Sequence, residues 1–147
     1  MSEKKNKLLS LCVQYVCEDD TLPNRAKLRC WVSAALEGAA EVTLRFVGEE
    51  EGRSLNRDYR GKDYPTNVLS FPYAPPPALA GDLVLCLPVV LAEAKAQGKT
   101  GQAHIAHLVV HGMLHLQGYD HEQDGQAKLM EAKELEILAR LGYPDPY

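Results

Sequence analysis

The sequence predicts an α+β (mixed α/β) fold: a small mixed sheet of four strands covered by helices. Three observations predict it. Four short stretches either alternate apolar and polar residues or run apolar between turn residues, as strands do. The segments between and after them carry apolar residues at helical spacing. Along the chain the order is strand, helix, strand, helix, strand, strand, and then three helices, which suits helices laid over one sheet. The order of strands within that sheet is left open.

Leu9, Leu11, Val13 and Tyr15 alternate with other residues and predict a first strand with one buried face. Pro23 opens a helix bearing Leu28, Trp31, Val32, Ala35 and Leu36, closed by Gly38. From Glu41 to Val47, Val42, Leu44 and Phe46 alternate with polar residues, a second strand. Glu49 to Tyr59 is highly polar, with Leu55 and Tyr59 one turn apart, and predicts a short exposed helix. Val68 to Phe71 predicts a third strand ended by Pro72, Pro75-Pro76-Pro77 a stiff loop, and Asp82 to Leu87 a fourth strand.

Pro88 then begins a helix to about Gln97, with Gly98 as its stop. Gly101 to Leu116 carries apolar residues on nearly every face, so this helix is expected inside the core, with Gly118 at its stop. A last helix, roughly Gln123 to Leu141, shows Leu129, Met130, Leu135 and Leu138 before Gly142 and Pro144 end it.

A chain of 147 residues with 46% hydrophobic and 24% charged residues reads as one globular domain, 1–147, able to bury a core without disulfides. The basic start, Met1 to Lys7, leads into an apolar run too short and too interrupted for a signal peptide, and no stretch is long enough for a membrane span. The expected location is the cytoplasm. Cys12, Cys17, Cys30 and Cys86 form no Cys-x-x-Cys pair and read as small core residues. The net charge of -4 gives no whole-chain support to nucleic-acid binding.

All five histidines fall between residues 104 and 121. His111 and His115 are four apart on the buried helix, so both imidazoles project from one face about one turn apart. Gly118 breaks that helix, and Tyr119-Asp120 turn the chain so that His121 can return to the same point. Three neutral imidazoles suit zinc, and also nickel, copper or iron, and three protein ligands leave a tetrahedral ion one open position, the pattern of a catalytic site. Unmetallated, the cluster is an expensive set of buried polar groups. The sequence therefore predicts one catalytic metal at the end of the buried helix, used for hydrolysis.

His107 is assigned a supporting or core role, because a third ligand on the same helix drifts off the metal-facing side, and His104 is expected in solvent near the helix start. Asp82 and Asp120 are candidates to orient a ligand imidazole. Gly112 stands where the His-Glu-x-x-His peptidase helix has its general base, which argues against that peptidase type; it removes a side chain and is expected to let another backbone or a substrate approach closely.

His111-Gly112-Met113-Leu114-His115-Leu116-Gln117-Gly118-Tyr119-Asp120-His121 matches in full the H-G-x-L-H-L-x-G-Y-D-H signature of the YbeY family, which the chain resembles over almost its whole length. Asn56 to Pro72 resembles that family's other hallmark, and Gly81-Asp82-Leu83-Val84 its Gly-Asp-Ile/Leu strand. The resemblance implies a single-strand-specific endoribonuclease of bacterial type, acting in ribosomal RNA maturation and ribosome quality control. It implies zinc at His111, His115 and His121, and an arginine important to activity that best matches Arg60.

Physically, Arg60 suits a bidentate grip on the scissile phosphate, with Arg57 and Lys62 nearby; Asp63 is expected to pair with one of these. Tyr59, Tyr64, Phe71 and Tyr73 offer stacking surface to unpaired bases, although most of them, Phe71 first, are expected in the core. Two other functions stay open at this stage: a metal hydrolase of a peptide or small molecule, and a binding module for RNA or the ribosome that the metal only braces.

Overall fold

The computed structural model describes residues 8–119 and 124–147. Strand β1 is Leu9–Tyr15, and its alternating exposure follows the sequence pattern. Helix α1, Arg25–Ala35, is started by Asn24, whose side chain accepts the Lys27 N–H at 2.8 Å and satisfies an otherwise orphaned donor. Leu28, Trp31, Val32 and Ala35 form its buried face. Strand β2 is Ala39–Val47 and helix α2 is Glu49–Arg60. Three glutamates in the first turn of α2 and two arginines in its last turn complement the helix dipole. Gly61, at φ 71°, ends α2 in a left-handed turn directly after Arg60.

Strands β3, Val68–Ala74, and β4, Ala78–Cys86, form a hairpin through Pro75 to Pro77. Helices α3, Leu87–Ala96, α4, Gly101–Leu116, and α5, Asp124–Leu141, follow. The sheet order is β1-β2-β4-β3: β1, β2 and β4 run parallel, and β3 pairs antiparallel to β4 at one edge.

Helix α4 crosses the sheet against β3 and β4 and is flanked by α1, α3 and α5. Nearly all its faces are therefore apolar, and Ile105, Val109, Val110, Met113 and Leu114 are fully buried with Leu44, Leu83 and Leu85 of the sheet. The approach is close because α4 and β4 each present a glycine. A methyl at Gly112 would lie 2.8 Å from Leu83 Cδ2, and one at Gly81 would lie 2.9 Å from Leu116 Cδ2. The group that Gly112 admits is thus the Leu83 side chain, neither a backbone nor a substrate. A second apolar cluster, Val47, Leu69, Val84 and Cys86, lies under Leu55 of α2.

Several expectations are corrected. Strand β3 passes through Pro72 to Ala74, because an edge strand needs ladder bonds on one side only; the register shifts just beyond, between Pro72 and Ala74. Strand β4 starts earlier than expected, at Ala78, since it pairs with β2 from there. Only Cys86 of the four cysteines is buried; Cys12 and Cys30 are exposed. In α5 the inward residues are Met130, Glu134, Ile137 and Leu138, while Leu129 and Leu135 face outward. The helical stripe thus includes a charged residue, and the reason lies in the site. Gln123, where this helix was expected to start, falls outside the described residues. Among the described residues no helix is long and apolar enough to cross a membrane.

Candidate metal centre and substrate cleft

His111 and His115 occupy the last two turns of α4 and line one cleft of about 540 Å³. Tyr59 and Arg60 at the end of α2, Thr66 and Asn67 before β3, and Val68 to Phe71 of β3 form its other walls. The sequence pairing of His111 with His115 is therefore realised in space, and Arg60 from a distant helix joins them. His121, the third expected ligand, and Asp120 lie outside the described residues. Among the described residues no three His, Cys, Asp or Glu side chains converge as a ligand set.

The orientation of each imidazole is set by what its Nδ1 touches. His111 Nδ1 lies 2.6 Å from Glu134 Oε2, and His115 Nδ1 lies 3.2 Å from the Tyr119 carbonyl. A carboxylate and a carbonyl can only accept, so both rings donate from Nδ1, and in the neutral imidazole the lone pair is then on Nε2. This is the tautomer of a metal-ligating histidine whose other nitrogen is fixed by an outer partner. The donor set fits a borderline metal such as zinc.

The Tyr119 carbonyl reaches His115 because α4 ends in a Schellman motif. Gly118, at φ 105°, donates its N–H to the His115 carbonyl at 3.0 Å, and Tyr119 N–H donates to the Leu114 carbonyl at 3.1 Å. The Tyr119 hydroxyl donates to Glu37 at 2.8 Å and holds the turn from outside.

Glu134 of α5 is the residue that sequence reasoning missed. It has 0% exposure, deep between α4 and α5. Burial alone would push its carboxyl up, but hydrogen bonds from His107, His111 and Tyr147 outweigh burial and hold it at about 2. A buried charge is tolerated here because each oxygen is occupied: Oε1 by His107 Nε2 at 3.0 Å and by the Tyr147 hydroxyl, Oε2 by His111. Its trace in the sequence is a lone acid inside the 130/134/137/138 stripe that faces the histidine helix. His107, given a supporting or core role from the sequence, donates to the same carboxylate that holds His111.

Asp82 takes no part. Its neighbours Gly81 and Leu83 meet α4, so by strand alternation Asp82 projects from the opposite face, where it accepts from Tyr73 at 2.7 Å. His104 is buried, not solvated, at 3% exposure. Its Nε2 contacts Glu93 Oε1 at 2.9 Å, and Glu93 in turn accepts from Asn67 Nδ2 at 3.1 Å in the cleft wall. The first turn of α4 packs on α3, and that removes the site from water.

Arg53 of α2 takes Asp63 in a two-bond pair at 2.8 and 3.0 Å, so Asp63 pairs with Arg53 rather than with Arg57, Arg60 or Lys62. Arg57 pairs with Asp58 at 3.3 Å. Among the described residues Arg60 enters no ion pair, and it stands exposed at the cleft. Tyr59, Tyr64 and Tyr73 are exposed rather than core, at 68%, 53% and 68%. Tyr59 rests edge-on against the half-buried Phe71, with ring centroids 5.2 Å apart.

The model of the family described as Endoribonuclease YbeY matches residues 14–142. An Endoribonuclease YbeY of Methylobacillus flagellatus is 58% identical over 139 residues, covering 95% of this chain and 93% of that protein. One of Aromatoleum aromaticum is 63% identical over 125 residues, covering 85% of this chain and 81% of the relative. The solution structure of a Thermotoga maritima protein superposes with a TM-score of 0.60 at 26% identity, covering 92% of both chains.

Proposed function

The chain belongs to the endoribonuclease YbeY family, and on that premise we propose that it is a zinc-dependent endoribonuclease that hydrolyses single-stranded RNA. Its substrate is ribosomal RNA or RNA held at the ribosome, its work is rRNA maturation and ribosome quality control in the cytoplasm, and residues 1–147 form one catalytic domain. The observation that carries this reading is the shared cleft: two imidazoles with their Nδ1 protons committed elsewhere stand in one cleft with an arginine that has no ion pair among the described residues.

His111, His115 and, from the sequence motif, His121 hold the ion. When bound, zinc supplies Lewis acidity toward a phosphate oxygen and toward water. Arg60 offers a planar fork of donors that binds two phosphate oxygens at once and stabilises charge developing on the scissile phosphate. Tyr59 and Phe71 border the same space with aromatic surface, which suits unpaired bases more than a rigid duplex. A peptidase reading has less support, because Gly112 occupies the general-base position of that helix type and no acid takes its place among the described residues of the cleft.

The test is metal content and cleavage of an unstructured RNA, measured on wild type, His115→Ala and Arg60→Ala. Wild type is expected to carry about one zinc per chain and to cleave. His115→Ala loses both, while Arg60→Ala keeps the metal and loses cleavage by roughly 100-fold or more, the scale of removing one transition-state donor. RNA cleavage that persists in metal-free protein would overturn the proposal.

A further inference from the structure

Glu134 is steadied from a part of the chain that neither α4 nor α5 supplies. Beyond α5, Tyr147 brings its hydroxyl onto Glu134 Oε1, the oxygen that also accepts from His107. The Tyr147 ring stands edge-on to His107, with centroids 5.4 Å apart and planes at 83°. Its own backbone N–H donates to Asp145 at 2.8 Å, which holds the approach of the chain. The tyrosine is 63% exposed, so its ring adds little to the core, yet its hydroxyl is spent on a carboxylate with 0% exposure.

This arrangement has a geometric consequence. The two histidines of α4 bond to separate oxygens of the carboxylate and so restrain a terminal torsion that is otherwise broad and soft. A third donor, arriving from a different segment onto the same oxygen as His107, narrows that torsion further. Oε2 is then left facing His111 Nδ1 at 2.6 Å.

We propose that Tyr147 is a positioning residue for the metal centre: through Glu134 it fixes the ring plane and tautomer of His111, so that Nε2 is presented to the cleft. This rests on the metal reading of His111. Outer partners of ligating histidines are worth roughly 10–100-fold in metal affinity when lost, and Tyr147 acts one step further out, so its share is smaller.

The experiment measures zinc affinity by chelator competition, the visible spectrum of the cobalt-substituted protein, and the melting temperature of the metal-free protein. The proteins are wild type, Tyr147→Phe and Glu134→Gln. Tyr147→Phe keeps the ring and removes the hydroxyl. It is expected to weaken zinc binding by about 3–10-fold and to shift the cobalt bands, with metal-free melting within a few degrees of wild type. Glu134→Gln is expected to weaken binding by about 10–100-fold. Wild-type affinity and spectrum in Tyr147→Phe overturn the positioning role and leave a contact that only adds stability. A wild-type protein that binds neither metal overturns the metal reading itself, a result distinct from the first. If Glu134→Gln does not fold, Tyr147→Phe alone still decides the matter.

Discussion

Gly112→Ala tests how closely α4 must lie on β4 beside the turn that carries His111 and His115. Two effects oppose each other. Replacing a mid-helix glycine by alanine favours the helix by about 1 kcal/mol. The new methyl, however, would lie 2.8 and 3.0 Å from the two Leu83 methyls and 3.4 Å from Leu83 Cγ, where ordinary contact begins near the last of these distances. Leu83 has 0% exposure and sits in the main core cluster, so it cannot swing into solvent to make room. Overpacking of this kind costs about 1–3 kcal/mol, and three close contacts on a confined side chain place it in the upper half of that range.

The expected net loss is about 1–2 kcal/mol, or roughly 3–6 °C in Tm for a domain of this size. Denaturant unfolding of Gly112→Ala, Leu83→Ala and the double variant measures it. Leu83→Ala alone should cost about 2–5 kcal/mol. In that background Gly112→Ala should reverse sign and stabilise by up to about 1 kcal/mol, since the crowding partner is gone. If Gly112→Ala raises the stability of the otherwise wild-type protein, the interface has slack and the close-packing argument is refuted.

Two further outcomes follow from the cleft and its rear. Tyr59→Ala should raise KM for single-stranded RNA by roughly 5–100-fold with a smaller change in kcat, the scale of one lost base stack, whereas Tyr59→Phe should stay near wild type; equal KM for Ala and Phe variants would remove Tyr59 from substrate binding. The imidazole of His104 is depressed below its ordinary value by burial first, with Lys99 and His107 adding to this and the Glu93 hydrogen bond opposing it. The unfolded chain therefore takes up that proton first as pH falls. The stability contributed by neutral His104 is complete above about pH 6.5 and is lost as pH falls through the lower folded-state value. Unfolding free energies from pH 7.5 to 5 should consequently fall more steeply for wild type than for His104→Gln, and parallel slopes would show that His104 is not the sensor.

The histidine spacing was legible in the residues because it is local. An i, i+4 histidine pair on a helix that is apolar all round, followed by glycine, encodes one imidazole face and the turn after it without reference to any other element. Alternation and helical spacing likewise located every element from β1 to α5 to within a few residues, because each pattern reports which side of its own backbone meets the core. The sheet order, the placing of Arg60 in the histidine cleft, the burial of His104 and the outward turn of Asp82 came only from tertiary packing. Glu134 shows the physical reason. A charged residue in a helical stripe looks like a surface residue until its partners are known, and those partners are His107, His111 and Tyr147, from α4 and from the chain beyond α5. The free energy of a buried charge depends on which donors surround it, and the set of donors is a property of the assembled core rather than of any window of sequence.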